Sequence, residues 1–252
     1  MNAFILAWQF LTILPLTKKG EKGDPRNFGR SMAYFPAIGL ILGLILWGTA
    51  QVFTGFFPEA VADGLVISLL VILTGAFHLD GLADTLDGLA FGRSPESRLQ
   101  IMKEHPIGSF GVVGLIVALG LKFTAYHSLP ADWAGTAFIL ALMLGRGSMV
   151  QVLYRSPYAR PEGGLGKIFK EHLGKRELII STATSLAFSL FFFRVWGFFL
   201  WLATVIFSGW LEIYFKKKIG GVTGDILGTA NELNETLTLL LLSGMLNSGM
   251  LS

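Results

Sequence analysis

Cysteine is absent from this chain of 252 residues. A disulfide framework, a thiolate nucleophile and a cysteine-based metal site are therefore excluded, so any chemistry must use carboxylates, histidines and hydroxyls. Charge is also scarce, because 15% of the residues are charged, against about 25% in a typical soluble domain. Since 52% of the residues are hydrophobic, the composition indicates a protein embedded in a lipid bilayer.

Long polar stretches are missing as well. No part of the chain has enough polar sequence to form a separate soluble core, so we expect one membrane domain over residues 1–252. The apolar segments long enough to be candidate membrane helices are residues 31–53, 62–79, 107–128, 134–154, 178–193, 195–215 and 234–251.

The first sixteen residues are apolar but short, and no small-residue cleavage site follows them. We therefore expect an interfacial or re-entrant helix ending near Pro15 rather than a signal peptide. If these residues did span, the chain would have eight crossings and its N-terminus would lie outside. The predicted fold class is an all-α polytopic integral membrane protein with about seven transmembrane helices plus this N-terminal helix.

The basic residues have a one-sided distribution. Seventeen of the twenty fall in loops 17–30, 80–106, 155–177 and 216–233, which lie on the same side of the predicted spans. Short loops rich in Lys and Arg face the cytoplasm, so these loops are predicted to be cytoplasmic. The same pattern accounts for the net charge of +3. Because the aromatic residues are not interleaved with basic ones, no nucleic acid partner is expected.

A cluster of acidic residues follows the second apolar run. The stretch His78–Gly88 contains Asp80, Asp84 and Asp87 and no basic residue. Spacings of four and three place these carboxylates on one face of a helix, where they repel unless a cation lies among them. Mg²⁺ is the natural candidate, because it prefers oxygen ligands and substrate phosphates. His78 is a candidate base or ligand, or is simply hydrogen-bonded at the membrane boundary.

Further acidic residues can join this site from other loops. Asp225 and Glu232 are seven apart and thus on one helical face, where they can supply a second acidic side. Glu104 and Lys103 lie where the chain re-enters the membrane. One can bind the metal and the other a phosphate, but charges flanking an ordinary helix N-terminus are an equal alternative.

Three basic residues are candidate anion ligands. Arg146 lies about two turns into a predicted span, where a charge usually faces a polar cavity or a partner. Arg160 and Lys167 belong to a connection rich in Gly and Pro, whose backbone amides can approach a nucleotide diphosphate closely. A flexible turn is the alternative for that loop.

The stretch His78–Gly88 closely resembles the signature of the cobalamin synthase family, the adenosylcobinamide-GDP ribazoletransferases. The resemblance continues through residues 102–111, 157–166 and 220–225 and through Asn231 and Glu232. Two positions depart from the family pattern, since Glu104 stands where aspartate is expected and Pro106 where a basic residue is expected.

The resemblance implies a Mg²⁺-dependent enzyme of a prokaryotic cytoplasmic (inner) membrane. It would join α-ribazole or its 5′-phosphate to adenosylcobinamide-GDP and release GMP. Asp80, Asp84 and Asp87 would hold Mg²⁺ on the pyrophosphate, with Asp87 the favoured proton acceptor, and Asn231 would contact substrate. The sequence leaves the oligomeric state open.

Two other classes compete with this interpretation. A CDP-alcohol phosphotransferase or membrane prenyltransferase also needs spaced aspartates and Mg²⁺, but the former expects Ala-Arg after its first Asp-Gly, which Ala83-Asp84 does not supply. A secondary transporter would explain an intramembrane charge such as Arg146, yet it predicts acidic groups at the bilayer midplane and a repeat between halves. Here the carboxylates cluster at one edge and no repeat is evident.

Overall fold

The structure, a computed structural model, describes residues 2–16, 24–104 and 106–251. Most of these residues are helical, and they form no β-sheet. The lysines of loop 17–30 that entered the orientation count lie outside these ranges. The helices are α1 (Ala3–Leu11), α2 (Pro25–Ser31), α3 (Phe35–Thr54), α4 (Glu59–Leu73), α5 (Phe77–Phe91), α6 (Pro95–Ile101), α7 (Ser109–His127), α8 (Ala131–Arg155), α9 (Leu165–His172), α10 (Lys175–Ile219) and α11 (Gly224–Asn247). The all-α class is confirmed.

The described helices that are long and apolar enough to cross a membrane are fewer than the roughly seven spans that the sequence predicted. Among the described residues, four helical segments are long and apolar enough to cross a membrane: Pro25–Thr54, Ser109–His127, Ala131–Arg155 and Lys175–Ile219. A fifth crossing is possible if α4 and α5, which meet at 85°, together form one broken span. The expected count of about seven is therefore not confirmed, and neither α5 nor α11 is itself one of the four candidate spans.

Helix α10 is broken at Arg194, between the two apolar runs that the sequence separated at this residue. Arg194 has a positive φ of 49°, outside the helical region. A Cβ on Gly197 would overlap the carbonyl group of Ser189. In a straight helix these two residues would lie about 12 Å apart along the axis. The chain therefore reverses here, and residues 175–193 and 195–219 form two antiparallel arms.

Helix α8 forms the centre of the bundle. Its side chains are buried on every face from Gly135 to Leu153 except at Thr136, as expected of a helix enclosed by others. Small residues on α3 allow close packing, because a Cβ on Gly43 would lie 2.6 Å from the Cα of Ile139. Helices α3, α10 and α11 therefore surround α8 and leave it little contact with the outside.

The apolar run 62–79 is not one continuous helix, which corrects the predicted span. Helix α4 ends at Leu73, and Gly75 and Ala76 both have positive φ, which stops the helix and redirects the chain. The backbone N–H of Ile13, just after α1, donates to the carbonyl of Leu73 at 2.8 Å. Helix α1 has only nine residues and is too short to span, so its interfacial or re-entrant placement stays a prediction.

Helices α5 and α11 cross so closely that their backbones touch. A Cβ on Gly81 would lie 2.7 Å from the carbonyl oxygen of Asp225, and one on Gly228 would lie 3.0 Å from that of His78. Distances below 3 Å are not tolerated without movement, so a glycine is required at Gly81. This crossing places the first turn of α11 beside the acidic face of α5.

We predict that Gly81→Ala lowers thermal stability in detergent by about 1–3 kcal/mol, because the new methyl group overlaps the backbone of α11. Gly244→Ala is the matched control, since Gly244 also lies on α11 and a Cβ added there would meet no atom within 4 Å. That variant should unfold at the same or a higher temperature, because alanine favours a helix over glycine by about 1 kcal/mol. Equal stability of the two variants would contradict the close crossing.

Candidate active site

Two carboxylates of α5, Asp80 and Asp84, have no ion-pair or hydrogen-bond partner among the described residues. Asp80 is exposed and Asp84 is half-buried, and they lie one turn apart on the same helical face. Within the described residues, neither side chain forms an ion pair or hydrogen bond with another group. The predicted acidic face is therefore present at these two positions, with no protein cation to neutralise it fully.

Helix α11 adds a third carboxylate. Its first turn begins after Thr223, whose hydroxyl accepts the backbone N–H of Ile226 at 3.4 Å. The same hydroxyl donates to Asp225 at 3.1 Å, and the Arg160 guanidinium donates to Asp225 at 2.6 Å. Asp225 therefore lies at the acidic face with its charge partly balanced by Arg160, as the sequence predicted for its location.

Like charges and burial change the acidity of this group. Burial and then the charges of Asp80 and Asp225 raise the pKa of Asp84 to about 7, with Arg160 opposing them. Burial also raises the pKa of Asp225, against the lowering effect of Arg160. The raised pKa means that Asp84 holds its proton to higher pH than an ordinary aspartate, and a cation would compete with that proton.

Three of the loops expected to be cytoplasmic converge on this site. Ala159 donates its N–H to Val222 at 2.8 Å, and Val222 donates to Pro157 at 2.9 Å, so the third loop is joined to the start of α11. Arg160 also donates to the carbonyl of Met102 in the second loop, at 3.2 Å. The predicted assembly of one site from separate loops is found for these segments.

The other predicted loop residues lie around this site without joining its acidic face. Lys103 forms an ion pair of 2.6 Å with Glu162, and both side chains are about half exposed. Lys167 donates to the carbonyl of Pro161 at 3.4 Å. Glu104 is exposed and accepts from Gln100 at 3.4 Å. Their proposed contacts with metal or phosphate stay predictions.

Asp87 has a different role from the one that its spacing suggested. Its carboxylate accepts the backbone N–H groups of Gly108 and Gly111, at 2.7 and 2.8 Å. These amides belong to the N-terminus of α7, which favours a negative charge. The side chain is 5% exposed. The expectation that Asp87 binds metal or accepts the substrate proton is therefore not supported, because both its oxygens are engaged in fixing α7 to α5.

Arg146 and Glu232, predicted to bind substrate and metal, belong to a buried ionic cluster. Lys122 of α7 donates to Glu232 and Glu235 of α11 at 2.6 and 2.5 Å, and Arg146 of α8 pairs with Glu235. All four side chains are almost fully buried. Two positive and two negative charges thus neutralise one another inside the bundle, and the predicted contacts of Arg146 with substrate and of Glu232 with metal stay predictions.

His78 and Asn231 extend this cluster towards α5. The side-chain amide of Asn231 contacts Nδ1 of His78 at 3.2 Å and donates to Glu235 at 2.8 Å. Both residues are essentially inaccessible, at 1% and 0% exposure. The hydrogen-bonded state that the sequence offered as the alternative for His78 is therefore found, and the roles of His78 as a base and of Asn231 as a substrate contact stay predictions.

Lys122 and Glu235 are the members of this network that sequence reasoning passed over. The available signal was that Lys122 and Arg146 both lie in apolar runs while Glu232 and Glu235 lie close together on one later helix. Charged residues in such runs require partners of opposite charge. The equal number of cations and anions could therefore have predicted that these four residues pair with one another.

The donor set fits one mode of magnesium binding. Within residues 2–16, 24–104 and 106–251, no three His, Asp or Glu side chains are arranged to hold a metal ion. Mg²⁺ is commonly held by one or two carboxylates with waters and substrate phosphates, rather than by a cage of protein ligands. The free pair Asp80 and Asp84 supplies that number of carboxylates.

Comparisons with known proteins agree with one another. A family model described as cobalamin-5-phosphate synthase matches residues 3–243. A protein of Desulforamulus reducens is 38% identical over 238 residues, which is 94% of each chain. One from Pseudomonas putida is 38% identical over 241 residues, which is 95% of this chain and 98% of the relative. Both carry the name adenosylcobinamide-GDP ribazoletransferase. No solved structure matches the chain.

We predict that Lys122→Met destabilises the protein by about 3–5 kcal/mol, because Glu232 and Glu235 would lose a buried cation. The double variant Lys122→Met with Glu232→Gln should recover part of this loss, since it removes one of the unbalanced charges. Thermal unfolding of the purified protein in detergent measures both effects.

The matched control is Lys103→Met, which breaks an exposed ion pair worth about 0–1 kcal/mol. If Lys122→Met were no more destabilising than Lys103→Met, the buried ionic cluster would not stabilise the bundle.

Proposed function

Because the chain belongs to the cobalamin-5-phosphate synthase family, we propose that it joins α-ribazole or α-ribazole 5′-phosphate to adenosylcobinamide-GDP with the help of bound Mg²⁺. The products are adenosylcobalamin or its 5′-phosphate, together with GMP. The name that these relatives carry supports the cobinamide substrate and the ribazole transfer. The free acidic pair Asp80 and Asp84, facing Asp225 and Arg160, is the observation that supports the metal and the site.

The reaction is a substitution at phosphorus. The 5′-hydroxyl oxygen of ribazole attacks the phosphorus attached to cobinamide, the bond from that phosphorus to the GMP oxygen breaks, and the hydroxyl proton passes to a base. Such a reaction depends on positioning and on neutralising the phosphate oxygens. A bound Mg²⁺ would supply that neutralisation at the pyrophosphate, held by Asp80 and Asp84.

The remaining protein groups have distinct tasks in this proposal. Arg160 is ion-paired with Asp225 and can turn its guanidinium towards a phosphate oxygen, for which a planar fork of donors is suited. Lys103 belongs to the second loop, and Lys167 lies in the helix that follows Gly164 of the third loop. Both loops converge on the site, so these lysines can serve as further anion contacts. With Asp87 occupied by α7, the proton acceptor is to be sought among Asp80, Asp84 and Asp225.

We also place the site on the cytoplasmic side of the inner membrane. The support is the distribution of basic residues, seventeen of twenty of which lie in the four loops on the side of the acidic motif. A nucleotide-activated substrate would be available on that side.

The decisive assay is release of GMP by purified, detergent-solubilised protein supplied with adenosylcobinamide-GDP and α-ribazole, with a parallel measurement of the corrinoid product. We expect GMP and cobalamin in a one-to-one ratio, only when Mg²⁺ is present. Asp84→Asn should lower kcat by at least about a hundredfold, as loss of a group that stabilises transition-state charge commonly does.

Asp132→Asn is the control for this variant, because Asp132 is exposed in the first turn of α8 and distant in sequence from the site. It should retain near-normal turnover. Folded Asp84→Asn protein with near-normal turnover would remove Asp84 from the site, and an inactive wild-type protein would refute the proposed reaction.

Binding of Mg²⁺ should depend on pH through Asp84. Since the pKa of Asp84 is raised to about 7, the proton competes with the cation below that pH and no longer does above it. We expect calorimetric titration to give an apparent affinity about tenfold weaker at pH 6 than at pH 8.

The variant Asp225→Asn tests the cause of this pH dependence. It removes a negative charge that raises the pKa of Asp84 and releases Arg160, which lowers that pKa. The transition should therefore move to lower pH. Equal affinity of the wild-type protein at pH 6 and pH 8 would show that Asp84 is not a ligand.

A further inference from the structure

A cavity of about 220 Å³ lies beside the acidic face, between α1, α3, α8, α9 and α11. Its inner wall is aromatic. Phe35 and Phe169 are 0% and 2% exposed, and the ring of Phe10 packs on both, at centroid distances of 5.8 and 4.7 Å. Met32 and Met149, both buried, complete this wall. The interior is therefore an apolar space bounded by flat rings.

The mouth of the cavity is shared with the candidate active site. Arg160, Asp225 and Gly164 lie at its edge. Phe77 also lines it and is 44% exposed. Phe77 is three residues before Asp80 and seven before Asp84, so all three project from one face of α5. A ligand with an apolar end inside the cavity would therefore present its other end to the carboxylates.

Size and polarity restrict what can enter. The volume is below the roughly 300–1,000 Å³ of pockets that hold whole drug-sized ligands, so a corrin ring does not fit. Guanine would lose hydrogen bonds, because buried polar edges need partners. Among the described residues lining the cavity, polar side chains are limited to Tyr158, Arg160 and Asp225. A flat, largely apolar bicyclic ring meets both restrictions.

We infer that this cavity is the subsite for the benzimidazole base of α-ribazole. The inference rests on the proposed function and adds the place where the attacking nucleoside binds. With its base against the accessible rings of Phe10 and Phe77, the nucleoside would direct its ribose to the mouth, where its 5′-hydroxyl meets the phosphorus held near Asp80 and Asp84. The apolar wall thus selects the base, and the acidic mouth performs the transfer.

The test compares two phenylalanines of the same helix. Phe77→Ala removes a ring from the mouth of the cavity, whereas Phe91→Ala removes one at the other end of α5. Phe91 is 51% exposed, and its ring makes an edge-to-face contact with Phe110 at a centroid distance of 5.5 Å. Phe77 makes the same kind of contact with Phe10 at 5.4 Å. Phe77→Ala should raise the KM for α-ribazole by about three- to tenfold, with the KM for adenosylcobinamide-GDP little changed. Phe91→Ala should change neither value.

A second measurement needs no variant. The free base 5,6-dimethylbenzimidazole lacks the hydroxyl that reacts, so it should inhibit the wild-type enzyme competitively against α-ribazole and not against adenosylcobinamide-GDP. Noncompetitive inhibition against α-ribazole would overturn the subsite. Equal effects of Phe77→Ala and Phe91→Ala on the KM for α-ribazole would also overturn it. A rise only in the KM for adenosylcobinamide-GDP would overturn it too and would assign the cavity to guanine.

The two levels of failure are distinguishable. A wild-type protein that releases no GMP would refute the proposed function. An active protein that fails the comparisons above would refute only the location of the base.

Discussion

A charge withdrawn from water must be neutralised nearby, and this constraint separates the acidic residues of the protein into two groups. Glu232 and Glu235 are inside the bundle and are matched by Lys122 and Arg146 at ion-pair distance. Asp80 and Asp84 are at the edge, and no basic side chain of the described chain pairs with them. The first group stabilises the packing of α7, α8 and α11, and the second keeps its capacity to bind a ligand.

The position of the site depends on this division and on one close helix crossing. The cluster fixes α11 against α7 and α8, while Gly81 and Gly228 let α11 meet α5 backbone to backbone. Asp87 then fixes the far end of α5 to the N-terminus of α7. With α5 restrained at both ends, Asp80 and Asp84 face Asp225 without needing bonds of their own. The surrounding structure thus holds repelling charges together, and a bound cation would relieve the repulsion that Arg160 balances only in part.

Much of the site could be predicted from the sequence, since local spacing determines which residues share a helical face. Asp80 and Asp84 were found in this way, and the glycine-rich connection identified Arg160. The roles of Asp87, Arg146 and Glu232 could not be found by spacing, because a side chain's partner depends on how separate helices pack. Asp87 satisfies the periodicity of the acidic face, but its two carboxylate oxygens accept the amides of Gly108 and Gly111.

Hydropathy fails for a related reason where the apolar run and the helix do not coincide. Residues 62–79 are largely apolar, but Gly75 and Ala76 adopt positive φ and turn α5 by 85° from α4. An apolar sequence indicates that a segment is surrounded by lipid or protein. The direction in which the chain runs depends on individual φ and ψ angles, which hydropathy does not show. This turn has a functional consequence, because it aims the start of α5 at the aromatic cavity rather than continuing the line of α4. Phe77 thereby lines the same cavity as Asp225, and Asp80 follows Phe77 by one turn of α5, so a single bend in the chain brings the apolar wall close to the acidic face.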